Sequence, residues 1–283
     1  MQDLHRVEID VVAQDGVASR ITVFTGAYAS SAPVLICMPA MGVAAKYYEP
    51  LAVTILQEGW GFVTADLRGN GLSKLRVRRG ISFGYREMVS FDWPAIVGKV
   101  RELFPGAPVY LLGHSLGGQL SALYLAANPD AASGLILVAA PSVHFRGWDF
   151  PLSPGVLAGT QAACATATLL GYFPGRKIGF GGTEAKGVIC DWARQARTGR
   201  YEPAGSGLEV ERMLVEMEIP VLAFSFEGDF LSPERAVANL LAKMLRAKVT
   251  HVHLAGDELD HFQWVKNPAP LIEKMGEWFA ALR

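Results

Sequence analysis

The chain has 283 residues, of which 51% are hydrophobic and 19% charged. This excludes a disordered segment, which buries too little apolar surface to offset its ordering entropy, and it supports a large core. Lys and Arg number 26 against 27 Asp and Glu, a net charge of −1, so no basic excess is available to neutralise phosphates and nucleic acid is not an expected partner.

Residues 1–12 carry Asp3, His5, Arg6, Glu8 and Asp10, unlike a secretory signal. Segments 6–13 and 19–25 alternate in polarity around Gln14-Asp15-Gly16, a hairpin signal. Short continuous apolar runs follow at 33–38, 62–66, 109–113, 134–139, 221–226 and 249–254. Runs of this kind predict strands buried on both faces of a parallel sheet. Helical patterns separate them at 47–57, 86–103, 116–127, 233–245 and 268–282, and the alternation predicts a doubly wound α/β sheet. It breaks once, over residues 142–218. That segment holds an uncharged stretch (150–175), an aromatic turn (171–175), a helical pattern near 184–197 and a Gly/Pro-rich piece around Pro203, Gly205 and Gly207. A structureless loop of this length is rare, so the segment is expected to carry its own helices. It is expected to lie over the strand ends, the alternative being a side packing remote from any site. Pro151, Pro154, Gly155, Gly159 and Gly171 interrupt the uncharged stretch, and no membrane span is expected. Cys37, Cys164 and Cys190 are odd in number and far apart. They predict neither a disulfide framework nor a metal pair, and they fit a reducing, cytoplasmic compartment.

The central motif is Gly113-His114-Ser115-Leu116-Gly117, with a strand pattern directly before it and a helical pattern directly after. A nucleophilic serine needs that strand–turn–helix setting, with small residues around it and a helix N-terminus to favour developing negative charge. The serine also needs a base. Among six histidines, His5 lies in the first strand, His114 is inside the turn, and His251 and His253 share a strand face without a third metal ligand. His144 follows the strand at 134–139 and could line a cleft. His261 falls between the last strand and last helix, at the same sheet edge as Ser115, and is the expected base. Asp229 follows the strand at 221–226 and is the expected acid, with Asp257, Asp260, Glu227 and Asp149 as alternatives. The order Ser115, Asp229, His261 is that of the nucleophile-elbow hydrolases.

With these residues in place the chain resembles the α/β-hydrolase superfamily over nearly all its length. The resemblance rests on residues 113–118, on Asp66-Leu67-Arg68-Gly69-Asn70-Gly71-Leu72-Ser73, on Gly228-Asp229 with Pro233, and on Asp260-His261. It is similar in particular to bacterial lysophospholipase-like and serine-aminopeptidase-like hydrolases. The resemblance implies a mostly parallel central sheet flanked by helices, with a helical cap inserted after the sixth strand. The core would be 1–141 and 219–283, and the cap 142–218. One motif departs. Relatives often have His-Gly after the third strand, whereas this chain has Met38-Pro39-Ala40-Met41-Gly42. Pro39 has no amide proton, so the expected oxyanion donors are the amides of Met41 and Leu116.

These readings predict a serine hydrolase of carboxylic esters with a small or apolar acyl group. No metal or organic cofactor is implied, and a monomer or homodimer fits. The same triad can run thioester hydrolysis or acyl transfer, and a non-catalytic binding module on this scaffold is the remaining alternative. His144, Phe145, Trp148, Tyr172 and Phe173 are candidate substrate contacts; the four aromatic residues Phe145 to Phe173 serve equally well as cap core. Lys74, Arg76, Arg78 and Arg79 form a basic run that reads as a solvated loop or as a dock for an acidic tail or partner.

Overall fold

The computed structural model describes residues 5–26, 31–256 and 258–282. A hairpin of β1 (His5–Val12) and β2 (Ala18–Thr25) is followed by β3 (Val34–Met38), α1 (Leu51–Gln57), β4 (Gly61–Ala65), α2 (Tyr85–Glu87), α3 (Trp93–Leu103), β5 (Val109–His114), α4 (Leu116–Ala127) and β6 (Gly134–Val138). Next come α5 (Leu152–Leu170), β7 (Tyr172–Pro174), α6 (Gly175–Ile178), β8 (Thr183–Ala185), α7 (Lys186–Thr198) and α8 (Val210–Glu216). The chain closes with β9 (Pro220–Phe226), α9 (Glu234–Leu241), β10 (Lys248–Leu254) and α10 (Ala269–Ala281).

Eight strands form one sheet in the order β1-β2-β4-β3-β5-β6-β9-β10. β2 runs antiparallel to both its neighbours, β1 and β4, and β4, β3, β5, β6, β9 and β10 run parallel. Every residue of β3, β4, β5 and β6 is buried, as continuous apolar runs require. Successive side chains serve opposite cores. Ile36 and Leu111 pack with Trp93, Ile96 and Leu120 from α3 and α4. Leu35 and Cys37 pack with Leu51, Ile55, Leu271 and Phe279 from α1 and α10. The edge strand β10 departs from the apolar expectation and is half exposed. Its His251 Nε2 and His253 Nδ1 both meet Ser225 Oγ at 2.8 Å.

Two expectations for the segment after β6 need correction. The aromatic turn at 171–175 contains β7, which pairs antiparallel with β8 in a separate hairpin. Three-residue strands are too short to show a polarity period. The helix expected near 184–197 is present as α7, beginning at Lys186 after Glu184 pairs in the hairpin. Cys164 of α5 and Cys190 of α7 form a disulfide, with Cα atoms 4.8 Å apart. Spacing along the chain does not reveal that two helices bring distant thiols together. The pairing removes the cysteine ground for a reducing compartment. No helix among the described residues is long and apolar enough to cross a membrane.

Arg68, in the loop after β4, is nearly inaccessible to solvent. Its Nη2 lies 2.7 Å from Asp92 Oδ1 and 3.0 Å from Asp15 Oδ1, and its Nε lies 2.9 Å from Asp92 Oδ2. One guanidinium thus ties the first hairpin to the residue preceding α3. Removing it leaves two carboxylates without their cation, and we expect Arg68→Ala to cost about 3–5 kcal/mol in urea unfolding. Breaking the exposed Lys274–Glu277 pair should cost under about 1 kcal/mol. Equal losses would contradict this assignment.

Candidate active site

Parallel strands deliver their C-terminal loops to one sheet edge. The loops after β3, β4, β5, β9 and β10 carry Met38–Gly42, Asp66–Ser73, Ser115, Asp229 and His261 respectively. Ser115 turns the chain from β5 into α4 in a single residue, with φ 50° and ψ −116°. A side chain in that conformation costs about 1–3 kcal/mol and persists only where its surroundings impose it. The glycines around it explain how. A Cβ on Gly113 would come within 2.3 Å of Gly118 Cα, and one on Gly118 within 2.7 Å of the Ala140 side chain. The Ser115 amide donates to the Val138 carbonyl at 3.0 Å, which pins the turn to β6.

His261 Nδ1 lies 2.8 Å from Asp229 Oδ2. The Asp229 side chain has no solvent exposure. Its other oxygen accepts the amides of Leu231 and Ser232, each at 2.9 Å. A carboxylate held by two amides accepts the Nδ1 proton and leaves the Nε2 lone pair of His261 free. The alternative acids are placed elsewhere. Asp260 accepts the amides of Phe262 and Gln263 in its own turn, Glu227 is exposed, and Asp149 pairs with Arg235 at 2.6 Å. Asp257 lies outside the described residues. His144 is half-buried, with a ring atom 3.2 Å from where a Gly199 Cβ would lie.

The loop after β3 is braced from below. The Ala40 amide donates to Tyr48 Oη at 3.0 Å, and Tyr48 Oη lies 2.6 Å from His114 Nδ1. The tyrosine therefore accepts one bond and donates its own proton to His114. Burial pushes the His114 pKa well below its ordinary value, which keeps the ring neutral. Its ring centroid is 4.8 Å from that of His261. Ala40 N–H is committed to Tyr48, while the amides of Met41 and Leu116 have no protein acceptor among the described residues. Asp66 braces the same region, accepting the amides of Ala45 at 2.7 Å and Leu72 at 2.8 Å.

A family model described as serine aminopeptidase, S33, matches residues 29–165, just under half of the chain. Protein phosphatase methylesterase 1 of Debaryomyces hansenii is 32% identical over 127 residues, covering 41% of this chain. The match spans only 32% of that relative's length. The structure of DcsB in complex with its substrate analogue aligns with a TM-score of 0.69 at 16% identity, covering 98% of this chain and 99% of that one. Est1E from Butyrivibrio proteoclasticus, with ferulic acid bound, aligns with a TM-score of 0.65 at 16% identity, covering 95% and 99%. This chain has the α/β-hydrolase fold.

The candidate contacts in the segment after β6 are placed in two ways. Trp148 Nε1 donates to the Phe230 carbonyl at 2.8 Å, tying the segment to the loop that holds Asp229. Phe173 packs with Ala163, Ala167 and Ile189 in the segment's own core. His144, Phe145 and Tyr172 are half-buried.

Two residues of this region escape a reading by motif. Tyr48 lies in no recognisable pattern. Glu184 is the first acidic residue after Asp149, and that isolation was the one available signal. Its side chain is buried beside the loop after β3. A Cβ on Gly182 would lie 2.7 Å from Glu184 Oε1, 2.9 Å from Gly42 Cα and 3.1 Å from Asn70 Oδ1. Glu184 Oε1 has no hydrogen-bond partner. Burial raises the carboxyl pKa from 4.5 to about 7, against the opposing pull of the Asn70 side chain and the Gly182 amide. The folded protein therefore keeps a proton that the unfolded chain releases, and stability falls as pH rises from 4.5 to about 7. Glu184→Gln should remove that part of the slope. Urea unfolding should show no gain for the variant in acid and a gain on the order of 3 kcal/mol in mild alkali. Identical pH slopes in the two proteins would contradict the assignment.

Proposed function

We propose that this α/β-hydrolase is a serine hydrolase that cleaves a carboxylic ester through an acyl-enzyme on Ser115. The observation that carries this reading is the 2.8 Å bond from His261 to the fully buried Asp229, at the sheet edge where Ser115 sits in its strained turn.

In this reading Ser115 Oγ attacks the acyl carbon while His261 Nε2 takes its proton. The carbonyl π electrons move to oxygen, and the amides of Met41 and Leu116 receive the oxyanion. Asp229 holds the imidazolium in place. Collapse of the adduct expels the alcohol, which takes the proton back from His261. Water then repeats the sequence on the acyl-enzyme, releasing the acid and free Ser115. Each oxyanion donor accounts for roughly 3–4 kcal/mol of barrier lowering in comparable sites.

Residues 142–218 act as a cap over the core formed by 1–141 and 219–283. The cap is anchored near the acid by Trp148 and against the oxyanion loop at Gly42, where a Cβ would come within 2.0 Å of Gly182 N. His144, Phe145 and Tyr172 are the cap residues left to touch an acyl group, while Trp148 and Phe173 shape the pocket through packing. The aliphatic character of the cap favours a small or apolar acyl group.

Hydrolysis of p-nitrophenyl esters of graded chain length tests this. We expect Ser115→Ala to lose at least about 10⁴-fold in kcat, and Asp229→Asn about 10³–10⁴-fold, with unfolding curves unchanged for Ser115→Ala. Wild-type turnover by Ser115→Ala would refute the mechanism. Product ratios with an added alcohol or thiol separate hydrolysis from acyl transfer.

A further inference from the structure

The protein is nearly neutral overall, yet its charges are not evenly spread. Residues 74–86 contain Lys74, Arg76, Arg78, Arg79 and Arg86 and no acid. Residues 150–183 contain Arg176 and Lys177 and no acid. The fold joins these two stretches: a Cβ on Gly171, at the end of α5, would come within 3.0 Å of Arg79 Cγ. Arg78, Arg79, Arg176 and Lys177 are exposed and none is in an ion pair among the described residues, whereas Arg76 turns its guanidinium onto the carbonyls of Gly71, Ser73 and Leu75, near the Asp66 carboxylate.

Next to Gly171 and Lys177 in the chain are bare aliphatic side chains. Leu169 is 80% exposed, Ile178 67% and Leu170 45%. They project from a knob, residues 169–182, that closes on itself. The Arg176 amide donates to the Gly182 carbonyl at 2.9 Å and the Phe180 amide to the Gly175 carbonyl at 3.1 Å. The helix leading into it, α5, has 19 residues and no charge. Its solvent side shows Leu152, Ala158, Ala162, Ala165 and Leu169. An exposed helix face in water ordinarily carries charge.

We propose that this knob docks on an anionic phospholipid bilayer, with Leu169 and Ile178 entering the acyl boundary and Arg78, Arg79, Arg176 and Lys177 on the headgroups. Protruding aliphatics with exposed cations beside them suit a lipid interface, where apolar tips are buried and unpaired positive charge is attracted. A second copy of the chain is disfavoured because a self-complementary contact would set these cations against their own copies. The knob also rests on the loop after β3, with Gly182 against Gly42, so docking would hold that loop at the lipid boundary. The proposal goes beyond the ester reading, and Ser115→Ala should bind vesicles as the wild type does.

Sedimentation with phosphatidylcholine vesicles, with and without phosphatidylglycerol, tests it on the full chain. Binding is expected only to the anionic vesicles and should weaken as salt is raised. The double variant Arg79→Glu and Arg176→Glu should lose at least about fivefold in partitioning per cation removed. Leu169→Ser with Ile178→Ser, which keeps every charge, should lose about tenfold or more. Hydrolysis of a small soluble ester should be unchanged in both. No binding to anionic vesicles, or binding insensitive to the charge reversal, would overturn the proposal. Loss on charge reversal without loss in the Leu169→Ser, Ile178→Ser double variant would also overturn it, by making the patch a dock for a soluble polyanion.

Discussion

The close approach of α4 to the loop after β3 governs the rest of this edge. A Cβ on Gly117 would fall 2.3 Å from the Met38 carbonyl oxygen and 2.5 Å from that of Pro39. Only glycine permits that distance. With the helix start pressed onto the loop, β5 must enter α4 within one residue, and that residue, Ser115, is driven to positive φ. The same contact brings the first amides of α4, with their partial positive charge, beside the loop carrying Met41. Strain at the serine and the concentration of amide donors around it thus have one steric origin.

Much of this was legible in the sequence because of the parallel sheet. Strands buried on both faces read as unbroken apolar runs, and the core strands begin and end within a residue or two of those runs. Once the strands are fixed, parallel direction sends their following loops to a single edge, which singles out His261 from six histidines. Proximity in sequence misleads for Asp260, whose carboxylate is spent on the amides of its own turn, while Asp229 reaches His261 from 32 residues away. What stayed hidden depends on contacts across the chain. The short β7–β8 hairpin has no period to detect, the Cys164–Cys190 bond needs two packed helices, and Tyr48 matters only because Ala40 and His114 come to its hydroxyl from different loops.

The loop after β3 is held between two unlike surfaces. Beneath it Tyr48 and Asp66 take up amides of the loop and the residues that follow it. Above it the backbone of Gly181 and Gly182 meets Gly42, with the buried Glu184 carboxyl behind. A loop clamped on both sides keeps its amide directions fixed, which is the requirement for donors that must be in place before charge develops. The clamp also sets the backbone of the insertion against the loop that carries Met41.

The central claim is that Ser115 is an activated nucleophile. The most direct measurement is reaction with a fluorophosphonate, read by intact mass and then by peptide mapping. The account predicts one phosphonate per chain, carried by the peptide that contains Ser115, and none after Ser115→Ala. A folded wild type that takes up no label, or a label mapped to another residue, would contradict it.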